Sequence, residues 1–190
     1  MKIRYDKFEV EGKVYTQKFE VRKDPKSAGS IEDIREQVKL QLKIREDITT
    51  TAKMLNQCEW MKRQLIDFRK VLEAGQRKSA KSIFVAAEEL QKKVQAVEDK
   101  IFEPTIADGD TKSFRFANKL YSKLSVLGGD LASSVDFAPN KQQNEVYEVL
   151  HNRMLKYKKE LDNLINTDVE AFNKMLIEKG VPGGIVPVDN

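Results

Sequence analysis

Few side chains in this sequence of 190 residues could do chemistry, and they are widely spread. There is one cysteine, Cys58, and one histidine, His151. A thiolate nucleophile needs a base within hydrogen-bond reach, and these two lie far apart in sequence. Cys58 falls in the helical spacing Leu55, Cys58, Met61, Leu65 and reads as a small core hydrophobe. A lone cysteine also leaves no internal disulfide. His151 adjoins the inward Leu150 and reads as an edge-of-core residue. One histidine excludes the paired Glu-x-x-His motif of di-iron bundles. The chain carries no Cys-x-x-Cys, His-Glu-x-x-His or glycine-rich phosphate loop.

The acidic candidates are two. Asp108-x-Asp110 has the spacing of a calcium loop but lacks the later oxygen ligands and the terminal glutamate, so it reads as a solvated turn. Asp168, Glu170 and Asn173 form a polar cluster on the last helical segment. A carboxylate pair in a cleft could do acid–base work. On a helix, however, positions 168 and 170 point about 200° apart. Asp168 lies near the apolar stripe and could pair with Arg45 or Arg63 across the helices. The run Lys156, Lys158, Lys159 is interrupted by the inward Tyr157 and reads as a solvated face. Trp60 stands beside an apolar stripe without joining it; if exposed, it would point to a binding surface. No catalytic residue, metal ligand or cofactor site is nominated, and a small enzyme would have only the Asp168 region to use.

The elements that hold these residues are clearer. Residues 2–22 carry β-formers in partly alternating order (Ile3, Tyr5, Phe8, Val10, then Val14, Tyr15, Phe19, Val21) around Glu11-Gly12, which predicts a hairpin. A two-stranded hairpin is marginal alone, so residues 1–26 must pack on the helices or be the edge of a larger, preceding sheet. Asp24-Pro25-Lys26-Ser27-Ala28-Gly29 reads as a linker.

Residues 27–190 read as an antiparallel, up-down four-helix bundle with a docked C-terminal tail. The first helix starts at Ser30, an N-cap with Asp33 in the first turn, and runs to Gly75. At 1.5 Å per residue it spans about 65 Å. Its apolar positions run Ile31, Ile34, Val38, Leu42, Ile48, Ala52, Leu55, and on to Leu72. Thr49-Thr50-Thr51 could break it, because β-branched runs weaken helices. The second helix has the cleanest pattern: Ile83, Ala87, Leu90, Val94, Val97, Ile101, capped by Ser79 or Ser82 and stopped by Pro104. The third carries Ala117, Leu120, Leu124, Leu127, Leu131 and Val135. Its interior Gly128-Gly129 should mark a kink or a close approach. The fourth runs from Asn140 to Gly180 with Val146, Leu150, Met154, Tyr157, Leu161, Leu164, Phe172 and Met175 inward. The tail from Val181 holds Pro182, Gly183, Gly184 and Pro187, cannot be helical, and has the apolar residues to dock. Helices one and four are long and two and three shorter, so the long pair should overhang at one end, where the hairpin would sit.

Composition narrows the class. Charged residues make up 34% of the chain, normal for long amphipathic helices with solvated outer faces. The balance of 34 Lys and Arg against 30 Asp and Glu is too even to imply nucleic acid. No run of about 18 apolar residues exists to cross a membrane, and MKIRYDKFEV lacks the apolar core of a signal peptide.

Several short segments together resemble the C-terminal helical region of large bacterial BNR-repeat proteins, related to sialidase-like and sortilin-type β-propellers and often labelled glycosyl hydrolases. Gly12-Lys13-Val14-Tyr15-Thr16-Gln17 and Val21-Arg22-Lys23-Asp24-Pro25-Lys26 look like the last hairpin of the β-sandwich that follows the propeller. That family usually has arginine at the place of Lys26. Ile44-Arg45-Glu46, Asn118-Lys119-Leu120, Asp136-x-x-Pro139, Asp168-Val169-Glu170-Ala171-Phe172-Asn173 and Gly180-Val181-Pro182 resemble its helical tail. The resemblance implies an exported parent whose propeller and β-sandwich domains are this chain's partners and whose propeller carries any glycan chemistry. The aspartate-box repeats of a sialidase are absent, so no catalytic residue carries over. The expected function is a non-catalytic module for packing, assembly or protein interaction. The alternative is a free-standing scaffold or dimerisation protein that forms a homo-oligomer through its long helices.

Overall fold

The computed structural model describes residues 2–74, 80–104, 115–134 and 136–188. Strands β1 (Lys2–Val10) and β2 (Lys13–Val21) form an antiparallel hairpin. Helices α1 (Ile31–Ala74), α2 (Ala80–Ile101), α3 (Leu120–Ser133) and α4 (Lys141–Leu164) follow. α4 continues through a π-helical turn, Ile165–Val169, into α5 (Glu170–Glu178). The protein is thus mainly helical with a short N-terminal hairpin. The expected caps Gly75 and Ser79, the loop with Asp108 and Asp110, and Val135 lie outside the described residues.

Local chemistry sets the ends. Both central hairpin residues, Glu11 and Gly12, have positive φ (50° and 75°), as a two-residue turn matched to strand twist requires. Ser30 and Asp33 form a reciprocal cap: the Asp33 N–H donates to Ser30 Oγ at 3.0 Å, and the Ser30 N–H to Asp33 Oδ2 at 2.6 Å. Asn140 and Gln143 repeat the arrangement at the start of α4. The expected break at Thr49–Thr51 does not occur. The Thr49 and Thr51 hydroxyls donate to the carbonyls of Arg45 and Asp47 (2.8 and 2.7 Å), so they are satisfied within the helix.

The helix directions correct the up-down-up-down expectation. α1 runs antiparallel to α2, since Lys62 meets Gln95 and Glu98 while Arg69 meets Gln91. α1 also runs antiparallel to α3, since Gln37 meets Leu131 and Ile44 meets Gly128. α4 is parallel to α1, with Lys43 over Tyr147 and Asp47 on His151 in constant register. It opposes α2, as Lys100–Glu160 and Lys93–Asp168 show. Helices α2 and α3 therefore point the same way and lie end to end. The edge-on contact of Phe102 with Tyr121 (centroids 6.2 Å apart) joins the end of α2 to the start of α3. Among the described residues, the cross-section at each level holds three helical rods, not four. The two short helices together match the long ones, so the expected overhang does not arise. The physical reason lies in the packing of the helix ends: the Phe102–Tyr121 contact sets the start of α3 at the end of α2, so α3 continues along α1 toward Gln37 instead of folding back beside α2.

Two apolar clusters fill this frame. One joins α1 from Met54 to Leu72 with all of α2, the α4–α5 segment and the tail. The other joins Leu40 and Ile44 with α3 and the first half of α4. Every expected α2 position is buried. In the first half of α1 the expected stripe is wrong. Ile31, Val38 and Leu42 are exposed, and the buried line is Gln37, Leu40, Ile44, Asp47, Thr51, Met54. In α4, Tyr147 is buried where Val146 was expected. Ala117 is exposed ahead of α3, which begins at Leu120. Near the end of the chain the buried line Leu161, Leu164, Val169, Phe172, Leu176 has one step of five, the mark of the residue that the π turn inserts; Met175 is half-buried beside it.

Gly128 is a place of close approach. A Cβ there would lie 3.4 Å from Ile44 Cγ2, while one at Gly129 would meet nothing within 4 Å. The tail docks as expected through Val181 and Ile185. Two side-chain amides hold its backbone. Asn173 donates to the Ile185 carbonyl and accepts its N–H (2.9 and 2.7 Å), and Gln64 does the same for Val186 (2.8 and 3.0 Å).

Candidate functional site

The thiol of Cys58 is fully buried among apolar neighbours, and burial pushes its pKa up to about 12. His151 is on α4, facing α1, and is remote from it. Its Nδ1 lies 2.9 Å from Oδ2 of the buried Asp47 and 3.4 Å from the Tyr147 hydroxyl. The Tyr147 ring stacks on the imidazole with centroids 5.5 Å apart, and Lys43 Nζ lies over the Tyr147 ring, 5.7 Å from its centroid. Burial, then the negative charge of Asp47, raises the Tyr147 hydroxyl to about 12. An Asp–His pair of this kind orients an imidazole for proton transfer. Among the described residues, the hydrogen bonds of His151 go only to Asp47 and Tyr147, and the raised Tyr147 hydroxyl is a poor nucleophile. The pair accounts for a buried carboxylate in the core line of α1. Sequence reasoning missed it because Asp47 reads as an ordinary helix surface residue until its partner on α4 is known.

Asp168 pairs with Lys93 of α2 at 2.5 Å, not with Arg45 or Arg63. The Lys93 hydrogen bond holds the Asp168 carboxyl below its ordinary range, and Asp168 raises the Lys93 ammonium in turn. Glu170 is exposed and apart from it, while Asn173 is committed to the tail. The space beside Asp168 is a groove of about 230 Å³ lined largely by Ala86, Leu90, Ala171, Phe172 and Met175. Lys158 is engaged by Asp162 at 2.7 Å. Trp60 is 43% exposed. Among the described residues, no group of three or more His, Cys, Asp or Glu side chains is placed to hold a metal ion. Nor is any of their helices long and apolar enough to cross a membrane.

A larger surface feature lies at the hairpin end of α1. The hairpin register puts Phe8, Val10, Tyr15, Phe19 and Val21 on one face, and all five are exposed. Among the described residues no third strand pairs with either β1 or β2, and no hydrogen bond or ion pair joins the hairpin to a helix. Where β2 ends, Val21 borders a groove of about 1550 Å³ along the outer side of α1. Its floor is the line Ile31, Ile34, Val38, Leu42, of which Ile34 is half-buried and the other three are exposed. Gly29 fixes the base of the hairpin: a Cβ there would fall 1.8 Å from the Asp136 carbonyl oxygen, so the linker backbone lies directly on the α3–α4 turn. The hairpin face and the α1 groove are two separate candidate surfaces. No family model, curated protein or solved structure matches this chain.

Proposed function

We propose that this chain is a non-catalytic helical module that attaches through its N-terminal hairpin to another β-sheet. In the context that the sequence resemblance implies, that sheet belongs to the β-sandwich of an exported BNR-repeat propeller protein, and the helices serve packing and assembly. The observation that carries the reading is the hairpin itself. It presents five apolar side chains on one face to solvent, and among the described residues both its outer strand edges are unpaired. A hairpin of this kind gains little stability alone. Unpaired edges offer backbone groups to a further strand, and the apolar face offers burial against a second layer. The helices, by contrast, have apolar clusters of their own and a docked tail.

The test is hydrogen exchange of residues 2–21 in the chain alone and in the polypeptide extended upstream through its native reading frame. The reading expects fast exchange in the chain alone and strong protection in the extended protein, with the helices unchanged. Equal protection in both would overturn it, as would turnover of glycoside substrates by the chain alone.

A further inference from the structure

The groove along α1 is a separate surface with its own chemistry. Its apolar floor, Ile31, Ile34, Val38 and Leu42, advances by three, four and four residues, the spacing that one helix offers another. Val38 is 44% and Leu42 47% exposed, so this line is unpartnered on a helix whose opposite side is already buried. At this level the described residues form three rods, α1, α3 and α4. A rod laid along the floor would be the fourth.

Charge decides what kind of rod. Seven cations line the groove against three carboxylates, Asp24, Glu46 and Asp136. Lys39, Arg45 and Lys53 have no carboxylate partner among the described residues. A second copy of the chain would bring the same cations against these, and like charges brought together across an interface oppose it. A flat anionic bilayer does not follow a concave groove walled by Val21 and the hairpin base. We propose that the groove binds an acidic amphipathic helix of a partner protein, its apolar stripe on Val38 and Leu42 and its carboxylates on Lys39, Arg45 and Lys53. The proposal rests on the reading of the chain as an interaction module but uses a different face of it.

The probe is a fluorescein-labelled 18-residue helical peptide with leucines at three-four spacing flanked by glutamates, followed by fluorescence anisotropy. The account expects saturable binding that weakens as salt rises. Exchange of the glutamates for lysines should weaken binding by about tenfold or more. Leu42→Glu should do the same without lowering the melting temperature, because Leu42 is half exposed. The double reversal Lys39→Glu with Arg45→Glu should switch preference to the lysine peptide. Phe8→Ser with Tyr15→Ser, which spoils the hairpin face alone, should leave peptide binding unchanged, so failure of hairpin attachment and failure of this proposal are distinguishable. Equal binding of both peptides, or unaltered binding by the Leu42→Glu protein, overturns the proposal. So does binding to phosphatidylserine vesicles in place of the peptide, or a dimer in light scattering that Leu42→Glu dissolves.

Discussion

Which side of α1 faces inward decides where the groove lies, and paired truncations at Ile44 and Val38 test it. Ile44 is 1% exposed and packs against Gly128 of α3. Ile44→Ala removes three buried carbons, about 2.4 kcal/mol at roughly 0.8 per methylene. A cavity term adds to this, because α1 cannot settle toward α3 without moving the rest of a 44-residue helix, giving about 3–4 kcal/mol in total. Val38 is 44% exposed on the other side, and Val38→Ala should change stability by less than about 0.5 kcal/mol. Adding Gly128→Ala to Ile44→Ala should recover about 1 kcal/mol or more, since the new methyl points into the vacated space and alanine favours the helix. Urea unfolding followed by circular dichroism reads all three as midpoint shifts at constant slope. If Val38→Ala costs as much as Ile44→Ala, the helix faces the other way and the groove is misplaced.

Gly129→Ala alone should stabilise the protein by about 1 kcal/mol, because alanine favours a helix interior and nothing stands in its way; a lowered urea midpoint would contradict this. Cys58 should be inert to a thiol reagent at pH 8 in the native protein and react fully in denaturant, because its buried thiol stays protonated; rapid native labelling would refute that. Stability should fall at both pH extremes. Asp33, held down by its hydrogen bonds from Ser30, and Asp168, held down by Lys93, titrate lower when folded than the ordinary 3.8, so their contribution is present above that value and is lost as pH drops through the folded one. Lys93 titrates above the ordinary 10.5, so its contribution is present below that and is lost as pH climbs through the raised value. Urea midpoints against pH for Asp168→Asn should show both arms flattened.

The sequence was most legible where burial is purely apolar and capping is local. The α2 line from Ile83 to Ile101 could be read residue by residue, as could the Ser30–Asp33 cap and the Asn140 start. The first half of α1 was misread because its core line contains Gln37, Asp47 and Thr51. Each is tolerable inside only through a partner: the Leu131 carbonyl for Gln37, His151 for Asp47, and the helix's own backbone for Thr51. Two of those partners are about a hundred residues away and leave no local trace. The more hydrophobic line Ile31, Val38, Leu42 therefore looked like core, and its exposure is what reveals the groove. Likewise, the π turn shifts the register after Leu164, so Met175 looked inward while Leu176 holds that place. Helix directions failed for another reason: loop length alone does not say whether a connection reverses the chain.

If the hairpin face is the proposed point of attachment to another sheet, the β1 and β2 amides should exchange fast in the chain alone and slowly in the upstream-extended protein. Slow exchange of those amides already in the chain alone would rule that attachment out.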